Sequence, residues 1–157
     1  MRKLLLLVTI ILGAACAPSG ESLIPAGELR RAVRAQLPIQ KELSRPRQQE
    51  LFGVFSQKLT AAERSALEWL YAWMPLSDLA DYDGEFYLRQ VRTTLQARDE
   101  MAWGRTLPAD LFLHFVLPLR VNNENLDSAR VVLSGLLRER VRGMTMRQAA
   151  LEVNHWC

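Results

Sequence analysis

Along most of the chain, apolar residues recur every three or four positions, and nowhere do they alternate with period two over a useful length. That spacing marks helices that bury one face rather than strands. It predicts an all-α fold, a bundle of about five to six helices with no internal repeat. Residues 48–59 carry Leu51, Phe52, Val54, Phe55 and Leu59 in a rough amphipathic pattern that includes Gly53. Thr60 and Glu63 then form a capping box, in which hydroxyl and carboxylate satisfy free N–H groups at a helix start. The helix behind it sets Leu67, Leu70, Tyr71 and Met74 on one stripe and stops before Pro75. Its end is rich in aromatics: Trp69, Tyr71 and Trp73.

Residues 77–84, "SDLADYDG", read as a turn-rich acidic link, with Asp83 placed to cap a helix over 85–98 marked by Leu88, Val91 and Leu95. A loop over 99–108 contains Trp103 and Gly104. Residues 109–117, "ADLFLHFVL", are nearly all apolar and predict a short buried helix ended by Pro118. After the polar loop "RVNNENLD", Leu126, Ala129, Val132, Leu133, Leu136, Leu137 and Val141 form one stripe closing at Gly143, the expected C-cap. Thr145 with Gln148 makes a second capping box and opens a last helix from Met146.

The start of the chain stands apart from this pattern. "MRK" followed by an apolar run from Leu4 to Leu12, broken only by Thr9, is too short to span a bilayer and reads as a signal peptide over 1–15. Small residues at Gly13 and Ala15 suit ordinary cleavage. Cys16 directly after them instead resembles a bacterial lipobox, in which the cysteine is acylated and becomes the first mature residue; Gly13 departs from that pattern where Leu is usual. The lipoprotein is the preferred expectation, with Cys16 as the lipidation site. More than one acyl chain there would anchor the protein stably, each buried CH₂ contributing ~0.8 kcal/mol. Exported and membrane-anchored, such a chain would face the periplasm or the cell surface.

Export also changes the charge. Without Arg2 and Lys3, 18 basic residues face 17 acidic ones, so the mature protein is close to neutral. Nucleic acid is therefore not an expected partner, since its footprint needs basic residues clustered on a folded face. The main basic cluster (Arg30, Arg31, Arg34, Lys41, Arg45 and Arg47 against Glu28 and Glu42) falls in 16–47 and is interrupted by Pro38 and Pro46. It reads as a solvated tether with room for one short helix, or alternatively as a patch resting on anionic headgroups at ~1 kcal/mol per basic residue.

The candidates for chemistry are few. With Cys16 lipidated, Cys157 has no partner for a disulfide, and two His with one free Cys cannot build a zinc site. No metal or cofactor is expected. His155 and Cys157 lie two residues apart on one helix and so point to opposite sides, and a thiol at a helix C-terminus meets the end of the dipole that disfavours a thiolate. No catalytic residue is assigned. Asp81-Tyr82-Asp83-Gly84 lacks calcium ligands where Leu79 and Gln90 stand, leaving a turn and an N-cap. His114, inside an apolar run, reads as a satisfied core histidine. Arg120, Asn122, Asn123 and Glu124 are harder to dismiss: they are either a turn that bonds its own backbone or a polar constellation that braces or lines a binding site.

Taken together, "YAWMPLSDLADYDGEFYLRQVR", "ARDEMAWG", "HFVLPLRVNNENLD" and "MRQAALEVNHWC" resemble the region ahead of the catalytic core in bacterial transglutaminase-like lipoproteins of the kind found in Bacteroidetes. The resemblance covers about residues 60–157. It implies papain-like acyl transfer or hydrolysis at Gln or peptide amides, with a Cys nucleophile at a helix N-terminus and His and Asp orienting it. In that family the nucleophile lies further along, in a segment like "GRCGEE", which this sequence lacks; Cys157 matches the end of the helix leading into the core. On that reading 48–144 is a helical N-terminal domain and 145–157 is the first helix leading into a missing core. The chain would be inactive alone, its partners being the membrane, the core and a protein or peptide substrate. Arg120, Asn122, Asn123 and Glu124 would brace or line the cleft, with Trp103 as an apolar wall. The competing expectation is a free-standing, surface-anchored helical binding module that uses Trp69, Tyr71, Trp73 and Trp103 as contacts.

Overall fold

The computed structural model describes residues 24–120 and 125–156, with the side chains of 36–40 left aside. Among these residues the chain is all-helical, as the periodicity predicts, with eight α-helices and no strand. Cys16, Asn122, Asn123, Glu124 and Cys157 lie outside the described residues.

Helix α1 (Ala26–Gln40) occupies much of the segment expected to be a solvated tether. Arg30, Arg31 and Arg34 are exposed, while Ala32 and Val33 on the opposite face are buried together with the flanking Ile24 and Leu43. The basic residues hide an amphipathic period: three arginines on one face do not prevent the other from closing on α3. Pro38 falls inside the last turn of α1 rather than breaking the segment earlier. Pro46 sits in the first turn of α2 (Arg45–Phe52), where a missing N–H costs nothing, behind Ser44 as N-cap. Arg47, also assigned to the tether, donates from Nε and Nη2 to the Leu79 carbonyl at 3.1 Å each and from Nη2 to the Tyr82 carbonyl. It closes the C-terminal end of a neighbouring helix.

The single helix expected over 48–59 is instead α2 followed by a 3₁₀ turn, Gly53–Ser56. Val54 and Phe55 in this tighter turn are both buried. Helix α3 (Ala61–Trp73) begins at the expected capping box: Thr60 N–H donates to Glu63 Oε2 at 2.8 Å and Glu63 N–H to Thr60 Oγ1 at 3.1 Å. Every residue from Ser65 to Tyr71 is buried, so α3 is the central element.

The acidic link is in fact largely helical. Pro75 caps α4 (Leu76–Asp81), and both Asp78 and Leu79 are buried. Asp83 caps α5 (Gly84–Glu100) by accepting from the Phe86 N–H at 2.8 Å, as expected. Gly84 is required here: a Cβ would stand 2.5 Å from the Leu51 carbonyl oxygen. Around α3, α4 and α5 the aromatics lock edge to face, Tyr71 against Phe52, Phe55 and Tyr87 at centroid distances of 5.7, 5.9 and 5.4 Å.

Residues 109–117 differ from the expected buried helix. One α-helical turn, α6 (Ala109–Leu111), widens into a π-helical turn over Phe112–Val116, closed by the Leu117 N–H donating to the Phe112 carbonyl at 2.8 Å. Phe112, Leu113 and Leu117 are buried, but Leu111, Phe115 and Val116 are exposed, Phe115 by 76%. So short a helix can cover only one face. Helix α7 (Ala129–Arg140) and helix α8 (Met146–Trp156) follow, with Gly143 at φ 74° between them and the Thr145–Gln148 capping box in place. They bury little: Val141 after α7 and Ala149 in α8. No helix among the described residues is long and apolar enough to cross a membrane.

Candidate functional site

Helix α3 must stop before Pro75, because the ring disfavours a helical residue ahead of it. That stop leaves the buried Trp69 and the exposed Trp73 side by side at the helix end, 5.6 Å apart between ring centroids. The π-helical turn brings His114 to both, 5.5 Å from Trp69 and 6.3 Å from Trp73, edge on. His114 is therefore exposed against two indoles, not the core histidine that its apolar neighbours suggested. Beside these rings Arg120 pairs with Asp78, and together they line an open recess of about 250 Å³, with Met74, Pro75, Leu117 and Pro118 as its apolar walls.

The Asp78 side chain is 2% exposed and that of Arg120 28%. The Asp78 backbone carbonyl accepts from the Tyr87 hydroxyl, so α4 is tied at one residue to both α5 and the segment after Leu117. Burial beside Asp78 pushes the Tyr87 hydroxyl well above the ordinary tyrosine range, fixing it as a donor. Arg120 Nε is buried without a hydrogen-bond partner.

Arg120 thus ties the start of the polar segment to α4 through Asp78. Residues on the far side are held as firmly: the Tyr82 hydroxyl donates to the Leu126 carbonyl at 2.7 Å and Gln90 Nε2 to the Asp127 carbonyl at 2.9 Å. Arg130 in α7 does most. It donates to Thr94 Oγ1 at 2.9 Å, to the Leu117 carbonyl at 3.1 Å and to the Pro118 carbonyl at 2.6 Å. Those carbonyls end the π-helical turn and have no helical partner ahead of them. Sequence reasoning missed Arg130, since one arginine on an amphipathic helix looks like surface. It also missed Asp78, hidden in a stretch that reads as a turn-rich acidic link.

Trp103 does not join the recess. It precedes a 3₁₀ turn, Gly104–Thr106, and its indole N–H is buried without a partner. His155 is exposed on α8. Among the described residues, no three His, Cys, Asp or Glu side chains converge as metal ligands would. Glu68 on α3 is the most perturbed carboxylate: burial, only partly offset by Arg64, raises it to about 7. Glu63 is the reverse. Burial pushes it up, but hydrogen bonds from Thr60 and Arg92 outweigh that and hold it below the usual value.

An all-helical protein with a small aromatic and cationic recess is the class that fold and geometry define. No family model, curated protein or solved structure matches the chain.

Proposed function

We propose that this chain is the lipid-anchored helical N-terminal region of a transglutaminase-like protein, inert without a core that supplies Cys, His and Asp. The observation that carries the reading is the uncovered face of α7 and α8: Val132 is 72% exposed, Leu136 53%, Met146 53% and Leu151 61%. Amphipathic helices of this kind bury such a stripe against another element, and a transglutaminase-like core after residue 157 is the occupant that the resemblance of 60–157 supplies. In the whole protein the reaction would be acyl transfer or hydrolysis at Gln or peptide amides. The role of these helices would be to flank the cleft, with Arg120 and the polar segment 121–124 as the brace at its edge. Cys16 would hold the assembly at the membrane.

The test is the mass of the native protein in the membrane fraction of its host, detected with an antibody to residues 85–100. A band well above 17.9 kDa is expected. A species at or below that mass plus acyl chains would sink the reading in favour of the second one, a surface-anchored binding module. That second reading is favoured by a specific observation, the Trp69–Trp73–His114 recess, which needs no further domain to be formed.

A further inference from the structure

The recess at the end of α3 has a volume, a charge and a wall chemistry that together narrow what fits. At ~30 Å³ per water, its 250 Å³ holds about eight waters. That is the space of one amino-acid-sized group, well short of a cofactor. The charge it presents is positive, because the carboxylate of the Asp78–Arg120 pair is almost fully buried while the guanidinium reaches the opening. Among the described residues Arg120 bonds only Asp78, through Nη2, and its Nε is buried, so the Nη groups are what it offers a carboxylate. The walls are two indoles and an imidazole edge, which favour a flat or branched apolar group. A π-helical turn, rare and often found at functional sites, is what carries His114 to the rim.

We propose that this recess binds an apolar carboxylate of single-residue size, its ring or hydrocarbon end against Trp69, Trp73 and His114 and its carboxylate on the Arg120 guanidinium. The C-terminal residue of a peptide and a free apolar acid share that chemistry. The inference stands apart from the transglutaminase-like reading, since it uses only side chains already in place.

The chain has four tryptophans, of which only Trp69 and Trp73 line the recess. In the full chain labelled with 5-fluorotryptophan, fluorine NMR during titration with N-acetyl-L-phenylalanine should shift those two signals saturably. Millimolar affinity is what a ligand this small reaches with ordinary contacts. The signals of Trp103 and Trp156 should stay still. The amide of the same ligand should bind at least about tenfold more weakly, the loss expected when a charge-assisted pair is removed. Trp73→Ala, at a 64% exposed position, should leave the fold intact and abolish the shift at Trp69. The paired variant Asp78→Asn with Arg120→Gln removes both charges without stranding either, and should bring the acid down to the affinity of the amide. Comparing Gly-Gly-Gly-Phe with 3-phenylpropionate separates the sources; whichever binds tighter names the ligand, and either result sustains the proposal. Equal affinity for acid and amide, movement of all four signals together, or no saturation by about 20 mM would overturn it.

Discussion

Helices α3 to α5 and helices α7 to α8 all carry apolar residues at helical spacing, but with opposite fates. In the first group Leu67, Leu79, Leu88 and Val91 are fully buried, enclosed by α1, α2 and the π-helical turn. In the second, Val132, Leu136 and Leu151 stand more than half exposed. Periodicity therefore specifies that a helix forms and which face is apolar, while what covers that face is decided by the rest of the assembly. The contrast can be broken by mutation. Leu67→Ala should cost about 2–5 kcal/mol, the range for emptying a closed core site. Leu151→Ala should cost less than about 0.5 kcal/mol, as for an ordinary surface position. Thermal unfolding of the two variants side by side reads the difference. A comparable loss for Leu151→Ala would mean that the α8 stripe is already covered in solution.

Next in size is the pair at the recess. Arg120→Ala strands the buried Asp78 carboxylate, and breaking a buried pair from one side costs about 3–5 kcal/mol. Since Arg120 is 28% exposed, the lower end of that range applies. Asp78→Asn with Arg120→Gln should recover most of the loss, because neither charge is left alone. A double-mutant cycle in denaturant checks this, and additive single losses would show that the two side chains are not coupled. No comparable pair exists between α7 and α8, where Arg140 and Glu152 meet at 2.6 Å with 42% and 30% exposure and are worth little.

Glu68 makes the core sensitive to pH. Its carboxyl is raised from 4.5 to about 7 by burial, with Arg64 opposing. Between those values the folded protein holds a proton that the unfolded chain releases, so the stability tied to this group falls as pH rises through the window and is level on either side. Glu68→Gln keeps the neutral form at every pH. It should match the parent near pH 4.5 and exceed it by about 1–3 kcal/mol at pH 8. Urea unfolding at both pH values measures the gap, and a gap of the same size at both would remove burial of the charge as its cause.

How far the sequence could be read follows the same divide. Helix starts were legible wherever a side chain answers a local need, as at Thr60, Asp83 and Thr145, because capping is settled within four residues. Positions decided by distant contacts were not. Arg47 reads as tether and holds the end of α4; Asp78 reads as part of an acidic link and lies in the interior; Arg130 gives no sequence signal and closes the π-helical turn. His114 and Phe115 differ in the opposite direction: the apolar run predicts burial, yet both are exposed, because only one face of so short a helix can be covered. Of the proposed site, Arg120, Trp69 and Trp73 were legible in the sequence as candidate residues only. Their meeting with His114 was not, because it depends on a π-helical turn for which spacing offers no signal.

The two capping boxes give the finest comparison, since their local chemistry is nearly the same. Thr60 Oγ1 accepts from Glu63 N–H at 3.1 Å, and Thr145 Oγ1 accepts from Gln148 N–H at 3.3 Å. Replacing either by Ala should cost its helix about 1 kcal/mol. Helix α3 cannot fray alone, because every residue from Ser65 to Tyr71 is packed, so Thr60→Ala should lower global stability by that amount and speed exchange throughout the core. Helix α8 buries only Ala149 and can open by itself. Thr145→Ala should therefore speed amide exchange within 146–156, leaving the midpoint of global unfolding unchanged and exchange at Leu67 and Leu88 as before. If instead the whole protein lost stability with Thr145→Ala, α8 would be part of the cooperative unit, and its exposed stripe would belong to a helix held by more than the contacts seen here.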